Sequence, residues 1–195
     1  MGSEMCIRDR TNQKASEALK QYFGYDFFRP MQAEIIESVL QKKDTVVLMP
    51  TGGGNSVCFQ IPGIIMPGMC VVVSPLISLM HDQVVGLRAN GVKAAYLNSS
   101  LTAKQMSHVE NLVTHKEIDL LYVSPEKMLS EQFLNFISHE EINLFAIDEA
   151  HCISQWGHDF RPEYTQMKML KERFPNIPVI AMTATADKPT RLSLI

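Results

Sequence analysis

A glycine-rich segment in the first third of the sequence has the residue types of a phosphate-binding turn. Residues 50–56 read Pro-Thr-Gly-Gly-Gly-Asn-Ser, between a β-branched stretch and a helical one. The glycines allow a tight turn that aims backbone N–H groups inward, and the following helix N-terminus adds a partial positive charge. A hydroxyl at the end of the turn, Ser56, is a suitable ligand for Mg²⁺. The segment therefore has the layout of a triphosphate cradle.

Two positions of this segment depart from the phosphate-loop pattern G-x-x-x-x-G-K-[ST]. Met49 stands where the first glycine would be, and Asn55 stands where the lysine would be. An ordinary glycine-rich turn between a strand and a helix is the alternative, and this segment by itself leaves it open.

A pair of carboxylates marks a second chemical site. Asp148 and Glu149 come directly after the apolar residues 144–147, which are typical of a buried strand. Asp148 can hold Mg²⁺ directly or through water, and Glu149 can orient and deprotonate an attacking water. A solvated Asp-Glu pair at a strand end is the alternative, but it explains less when a glycine-rich phosphate loop lies upstream in the same sheet. Together the two sites suit phosphoanhydride hydrolysis.

The elements that must position these residues alternate along the chain. We predict strands at residues 45–49, 70–73, 94–97, 119–123, 144–148 and 179–183. We predict helices at residues 12–23, 76–90 and 125–137, a helix that Pro30 opens, and another that Thr102 begins with a capping box to Gln105. This order predicts an α/β fold with a mostly parallel sheet and helices on both faces. Ligands of such sheets bind beyond the carboxyl ends of the strands.

Composition limits the class of protein. A chain of 195 residues with 46% hydrophobic content suits one globular domain. No apolar run reaches the roughly 18 residues of a membrane span, so no membrane partner is expected. The formal charge of −3 means that any contact with DNA must be local.

The cysteines and the N-terminus have simple interpretations. Cys6, Cys58, Cys70 and Cys152 show no C-x-x-C spacing, so we expect no zinc site and interpret them as small hydrophobes in a reducing compartment. Residues 1–10 lack periodicity and an apolar signal region, and are interpreted as a tag or a sequence artefact. Residues 11–195 are taken as a single domain.

From about residue 18 to the C-terminus, the sequence resembles the first RecA-like lobe of the RecQ family of DNA helicases, a lobe with a P-loop NTPase fold. The agreeing segments are residues 23–25, 28–32, 49–56, 73–80, 148–160 and 181–186. Residues 151–164, which begin at the histidine of Asp-Glu-Ala-His, are the most specific of them. The family pattern also has Met49, but it has lysine in place of Asn55.

The resemblance implies a role for each matching residue. Tyr25 would stack on adenine, and Arg29 and Gln32 would read its edge and position the nucleotide. The phosphates would be held by Thr51, Gly52, Gly53, Gly54, Asn55 and Ser56, and Mg²⁺ by Ser56 and Asp148. The catalytic set would be Glu149, Asp148 and the lysine position, Asn55. Coupling between nucleotide and DNA is implied for His151, Thr183 and Thr185, and DNA binding for Ser74, Pro75, Ser124, Trp156, His158, Phe160 and Arg161.

Three of these residues also have ordinary structural explanations. Trp156 could pack in a core, but its polar neighbours without apolar periodicity favour a loop. Tyr25 could be an aromatic that packs a helix. His151 could be a strand-end residue with a local hydrogen bond.

As a whole, the resemblance implies the ATP- and Mg²⁺-dependent motor lobe of a 3′–5′ helicase that unwinds DNA in repair and recombination. Its expected partners are single-stranded or partly duplex DNA and a second RecA-like lobe. That lobe and the family's C-terminal modules are not in this sequence, so the chain alone is not expected to unwind DNA. The expected location is the cytoplasm or nucleoid of a bacterium, or the nucleus of a eukaryote.

The asparagine at position 55 is the basis of the main alternative function. Without the lysine charge, we expect weakened nucleotide binding and hydrolysis near background, whether Asn55 is engineered, natural or a sequence error. The alternative function is therefore a non-hydrolysing module that binds nucleotide or single-stranded DNA. A DEAH-box RNA helicase shares residues 148–151, but residues 23–32 and the Trp156 segment favour DNA.

Overall fold

The computed structural model of the protein describes residues 2–49, 54–148 and 162–183. Within these residues, six strands form one sheet in the order β1-β6-β5-β2-β4-β3, and every neighbouring pair is parallel. The strands are β1 (Thr45–Leu48), β2 (Met69–Val73), β3 (Ala94–Leu97), β4 (Leu120–Val123), β5 (Ile142–Ile147) and β6 (Val179–Thr183). The parallel sheet predicted from the alternating elements is therefore confirmed.

Helices connect the strands and cover the sheet. They are α1 (Gly2–Ala18), which continues as a π-helical segment (Leu19–Phe23), α2 (Gln32–Leu40), α3 (Val57–Ile65), α4 (Ile77–Ala89), α5 (Ala103–Thr114), α6 (Pro125–Met128), α7 (Glu131–Ile137) and α8 (Pro162–Arg173). Among the described residues, no helix combines the length and apolar character needed to cross a membrane.

Alternate residues of the central strands face two separate cores. In β2, Val71 and Val73 pack with residues of α5, α6, α7 and α8, whereas Cys70 and Val72 pack with residues of α2, α3 and α4. The π-helical segment and the end of α1 add a third cluster against α2 and α3. Because helices cover both faces, β2 and β5 are buried along their whole length; β2 is a continuous apolar run, and β5 is apolar except for Asn143.

Three helix predictions differ from the structure. Pro30 lies in a turn, and α2 begins at Gln32 after Met31, whose φ of 70° interrupts the helical path. The helix predicted over residues 125–137 is divided, because Ser130 accepts a hydrogen bond from Phe133 N at 3.3 Å and begins a new helix. In addition, residues 2–10 belong to α1, so this helix starts well before Asn12.

Other local predictions are confirmed. Thr102 and Gln105 form the expected capping box at the start of α5. Cys58 and Cys70 are fully buried free thiols on one face of the sheet. Burial raises the pKa of the Cys58 thiol to about 12, so this thiol behaves as a small hydrophobe.

Candidate nucleotide-binding site

The candidate residues gather at one edge of the sheet. Met49, Ser74, Ser124 and Asp148 each follow the last residue of a strand, and all strands run in the same direction. Backbone hydrogen bonds join neighbouring strand ends, from Asp148 N to Val73 O at 2.9 Å and from Ser74 N to Val123 O at 3.0 Å. These residues therefore lie at the carboxyl edge, where open α/β sheets bind their ligands.

The described part of the glycine-rich turn requires glycine at position 54. Gly54 has a φ of +77°, a conformation that L-residues with a Cβ rarely adopt. A Cβ there would lie 3.0 Å from Gln32 Nε2. The close approach exists because Gln32 Nε2 donates a hydrogen bond to Gly54 O at 2.9 Å. Gln32 thus fixes the turn from a neighbouring segment.

The same glutamine connects the turn to Arg29. Gln32 Oε1 accepts a hydrogen bond from Arg29 N at 2.8 Å, and the Gln32 side chain is buried. Nη1 of Arg29 lies 3.6 Å from the place that a Cβ on Gly54 would occupy, so an exposed guanidinium stands beside the turn. The structure therefore brings Arg29 and Gln32 together with the glycine-rich segment, as the resemblance implies.

Tyr25 keeps its ring available at the surface. The residue is 54% exposed, just after the π-helical segment ends at Gly24 in a left-handed conformation. An exposed tyrosine can present its ring face to a planar base. The alternative explanation of Tyr25 as a fully packed helix aromatic does not agree with this exposure.

Ser56 and Asp148 supply oxygen donors at this edge. Ser56 precedes α3 as its N-cap, yet its hydroxyl makes no capping hydrogen bond and instead accepts one from Gln83 Nε2 at 3.4 Å. Asp148 is 4% exposed at the end of β5. A hydroxyl and one carboxylate fit Mg²⁺, which proteins usually bind through one or two carboxylates, substrate phosphates and water.

Three polar residues, which were not predicted from the sequence, lie behind this edge; Gln60 and Tyr122 are buried and Gln83 is half-buried. Gln60 Nε2 donates to Tyr122 Oη at 2.9 Å, and Tyr122 Oη donates to Gln83 Oε1 at 2.7 Å. We call Gln60, Tyr122 and Gln83 the buried polar chain. Their sequence signal was a polar residue in an apolar context, as in Leu-Leu-Tyr-Val for Tyr122.

The buried polar chain also relates Ser56 to Asp148. Burial raises the pKa of Tyr122 strongly, and the negative charge of Asp148 raises it further although the hydrogen bond from Gln60 opposes the shift. Asp148 therefore acts electrostatically on the phenol whose partner, Gln83, hydrogen-bonds to Ser56.

The two serines predicted to contact DNA have buried side chains. Ser74 is 1% exposed, and Ser124 is 7% exposed with its hydroxyl accepting the capping hydrogen bond from Lys127 N. The exposed residue in the first of these loops is Leu76, at 47%. Any DNA contact by these loops in this conformation must therefore come from neighbours of the serines.

Several predicted residues lie outside the described part of the chain, or at its limit. Those outside are Thr51, Gly52, Gly53, Glu149, His151, Trp156, His158, Phe160, Arg161 and Thr185. Thr183 ends β6, where its backbone pairs with Leu48 of β1, the strand that leads into the glycine-rich turn.

Comparisons with known proteins agree with this architecture. Residues 29–192 match the DEAD/DEAH box helicase family. The chain is 52% identical over 183 residues to the ATP-dependent DNA helicase RecQ of Pasteurella multocida, and 51% identical over 181 residues to that of Haemophilus influenzae. These alignments cover 94% and 93% of this chain, and the chain spans 29% of the length of each relative.

A solved structure supports the fold independently. A hypothetical ATP-dependent RNA helicase from Sulfolobus tokodaii superimposes with a TM-score of 0.69 at 22% identity, over 92% of this chain and 53% of that one. At this identity the likeness concerns the fold alone.

A parallel sheet with a glycine-rich turn and an acidic strand end at its carboxyl edge defines a RecA-like nucleotide-binding lobe. The chain belongs to the DEAD/DEAH box helicase family. Its resemblance to the RecQ helicases within that family is confirmed.

Proposed function

We propose that this chain is the nucleotide-binding motor lobe of an ATP-dependent DNA helicase that moves 3′ to 5′ and acts in repair and recombination. The observation that carries the proposal is the contact between Gln32 and Gly54, which joins the adenine-side residue Arg29 to the glycine-rich turn. This contact fits a nucleotide that spans from the Tyr25 ring to Ser56. The metal ligands would be Ser56 and Asp148.

Each residue would then contribute one element of hydrolysis. Tyr25 and Arg29 would bind the base end of the nucleotide, and the backbone N–H groups of residues 51–56 would surround the phosphates. When bound, Mg²⁺ neutralises charge on the phosphate oxygens. Glu149 would accept the proton of the attacking water, and His151 with Thr183 and Thr185 would transmit the nucleotide state to the DNA-binding face.

Asn55 would make ATP hydrolysis by this lobe slow. A lysine offers a full charge to the transferred phosphate, whereas asparagine offers a shorter, neutral amide. The exposed guanidinium of Arg29 beside Gly54 supplies another positive charge. Nucleotide binding would therefore be weakened but retained, while hydrolysis would fall to near background, which also supports the second candidate function of a non-hydrolysing module.

Single-stranded or partly duplex DNA is the proposed nucleic-acid partner, together with a second RecA-like lobe. We expect this lobe alone to bind single-stranded DNA weakly, with a salt slope of about −0.7 per phosphate contact. Arg161→Ala should weaken binding and reduce that slope by about one contact. Fluorescence anisotropy with labelled oligonucleotides over a range of salt concentrations measures both quantities.

Lys116 provides the matched control for this experiment. It precedes β4 and pairs with Glu141 at 3.5 Å, which places it at the amino edge of the sheet, away from the proposed DNA face. Lys116→Ala should leave the affinity and slope unchanged. Salt-independent binding would refute the DNA contacts, and tighter binding of a matched RNA strand would favour the RNA helicase alternative.

A further inference from the structure

The buried polar chain ends at the hydroxyl that we assign to the metal. Gln83 uses both ends of its amide: its Oε1 accepts from Tyr122 Oη at 2.7 Å, and its Nε2 lies 3.4 Å from Ser56 Oγ. Gln60 Nε2 donates to the same phenol at 2.9 Å. An amide N–H₂ can only donate, so the phenol proton is directed to Gln83 and the Gln83 amide group is directed to Ser56.

Burial gives this arrangement a fixed geometry. Tyr122 is fully buried and Gln60 is 5% exposed, in an otherwise apolar cluster that includes Phe59, Val72 and Leu144. A buried polar group without a partner costs about 1–3 kcal/mol, so the buried Gln60 and Tyr122 side chains keep their paired orientations, and Tyr122 orients the half-buried Gln83 through its hydroxyl. Apolar residues would fill the same space without this constraint.

The buried polar chain also joins Ser56 to two neighbouring elements of the fold. Gln83 is on α4, which begins just after Ser74, Pro75 and Leu76. Tyr122 is in β4, two residues before Ser124. Ser56 is thus connected through side chains to α4, which follows the loop after β2, and to β4, which leads into the next loop; the resemblance implies DNA contact for both loops.

We propose that Gln83 is a positioning residue: it holds the Ser56 hydroxyl in the orientation that a magnesium ion requires. Its Nε2 hydrogen would occupy one lone pair of Ser56 Oγ and leave the other lone pair for the cation. Mg²⁺ demands near-ideal octahedral geometry, so a hydroxyl held in one direction binds it better than a rotating one. The inference rests on the proposed nucleotide-binding function.

The test compares nucleotide affinity with and without metal. The variants are Gln83→Met, which keeps the length but removes the amide, and Tyr122→Phe, which removes only the phenol hydroxyl. Binding of a fluorescent ADP derivative is titrated in excess Mg²⁺ and again in EDTA, in this chain and in its Asn55→Lys variant. Gln41→Met is the matched control, because Gln41 is exposed and its side chain donates to Glu37.

We expect Gln83→Met to weaken Mg²⁺-dependent binding by about 5-fold, the effect of one hydrogen bond, and to leave binding in EDTA unchanged. Tyr122→Phe should weaken Mg²⁺-dependent binding by a smaller factor, and it serves as the test if Gln83→Met does not fold. Gln41→Met should leave the affinity for the nucleotide unchanged both in Mg²⁺ and in EDTA. The melting temperature of each variant is recorded in parallel.

The outcomes separate this inference from the proposed function. A purely structural role for Gln83 would lower affinity equally in Mg²⁺ and in EDTA, and that result would overturn the inference. Unchanged affinity of both Gln83→Met and Tyr122→Phe would also overturn the inference. If neither parent chain binds ADP at any Mg²⁺ concentration, the proposed function itself fails, and the positioning role fails with it.

Discussion

Replacing Asn55 by lysine should raise ATP turnover by about 100-fold or more, because a preorganised donor to the reacting group contributes that much to the rate. The measurement needs a second lobe. It therefore uses a polypeptide that joins this lobe to the remainder of its Pasteurella multocida relative, in the presence of single-stranded DNA. The rate of phosphate release is compared between Asn55 and Asn55→Lys.

A second variant isolates the charge from the length of the side chain. Asn55→Gln extends the amide towards the phosphates but remains neutral, so it should recover only a small part of the rate. Nucleotide affinity should change less than turnover, since the backbone cradle, Arg29 and the metal ligands are the same in all three proteins. Equal turnover with Asn55 and lysine would show that this position does not carry the catalytic charge.

Substituting alanine for Gly63 should lower the free energy of unfolding by about 1–3 kcal/mol, the usual cost of overpacking a core. Gly63 is in α3, where the helix rests directly on the sheet. A Cβ there would lie 2.7 Å from Cys70 Cβ and 2.8 Å from Leu120 Cδ2, and both residues are fully buried in strands. Either α3 or the strands would have to move apart, which would also displace Ser56 at the start of this helix.

Gly86 is the matched control, since it is also a helical glycine but has no atom within 4 Å of an added Cβ. Gly86→Ala should therefore stabilise the protein by about 0.5–1 kcal/mol through helix propensity. Urea denaturation followed by circular dichroism measures both variants. Similar effects of the same sign would mean that α3 does not approach β2 and β4 as closely as described.

Local patterns predicted the scaffold because each depends on a few adjacent residues. The apolar runs of β2 and β5 and the Thr102–Gln105 capping box are of this kind. The errors arose where two local signals competed. Ser130 was predicted to lie within a helix, but it follows the end of α6 and is the N-cap of α7. Pro30 was predicted at a helix start, but Met31 with its positive φ lies between Pro30 and α2.

The site was only partly predictable for a different reason. Ser56, in the turn between β1 and α3, and Asp148, at the end of β5, could be assigned to one edge, since parallel strands share their direction. The contact between Gln83 and Ser56 spans 27 positions of the sequence. It depends on how α4 is rotated on the sheet and on the phenol of Tyr122 beneath it. No period in the sequence encodes that rotation, so the buried polar chain was found only in three dimensions.

In the proposed mechanism, Ser56 and Asp148 share one magnesium ion bound to a triphosphate. A crystal structure of the Asn55→Lys chain with Mg²⁺ and a non-hydrolysable ATP analogue would show whether they do. We expect the ion at about 2.0–2.1 Å from Ser56 Oγ, with the Asp148 carboxylate bound to it directly or through one water. A nucleotide bound elsewhere, or an ion that contacts Ser56 with Asp148 out of reach, would contradict the claim.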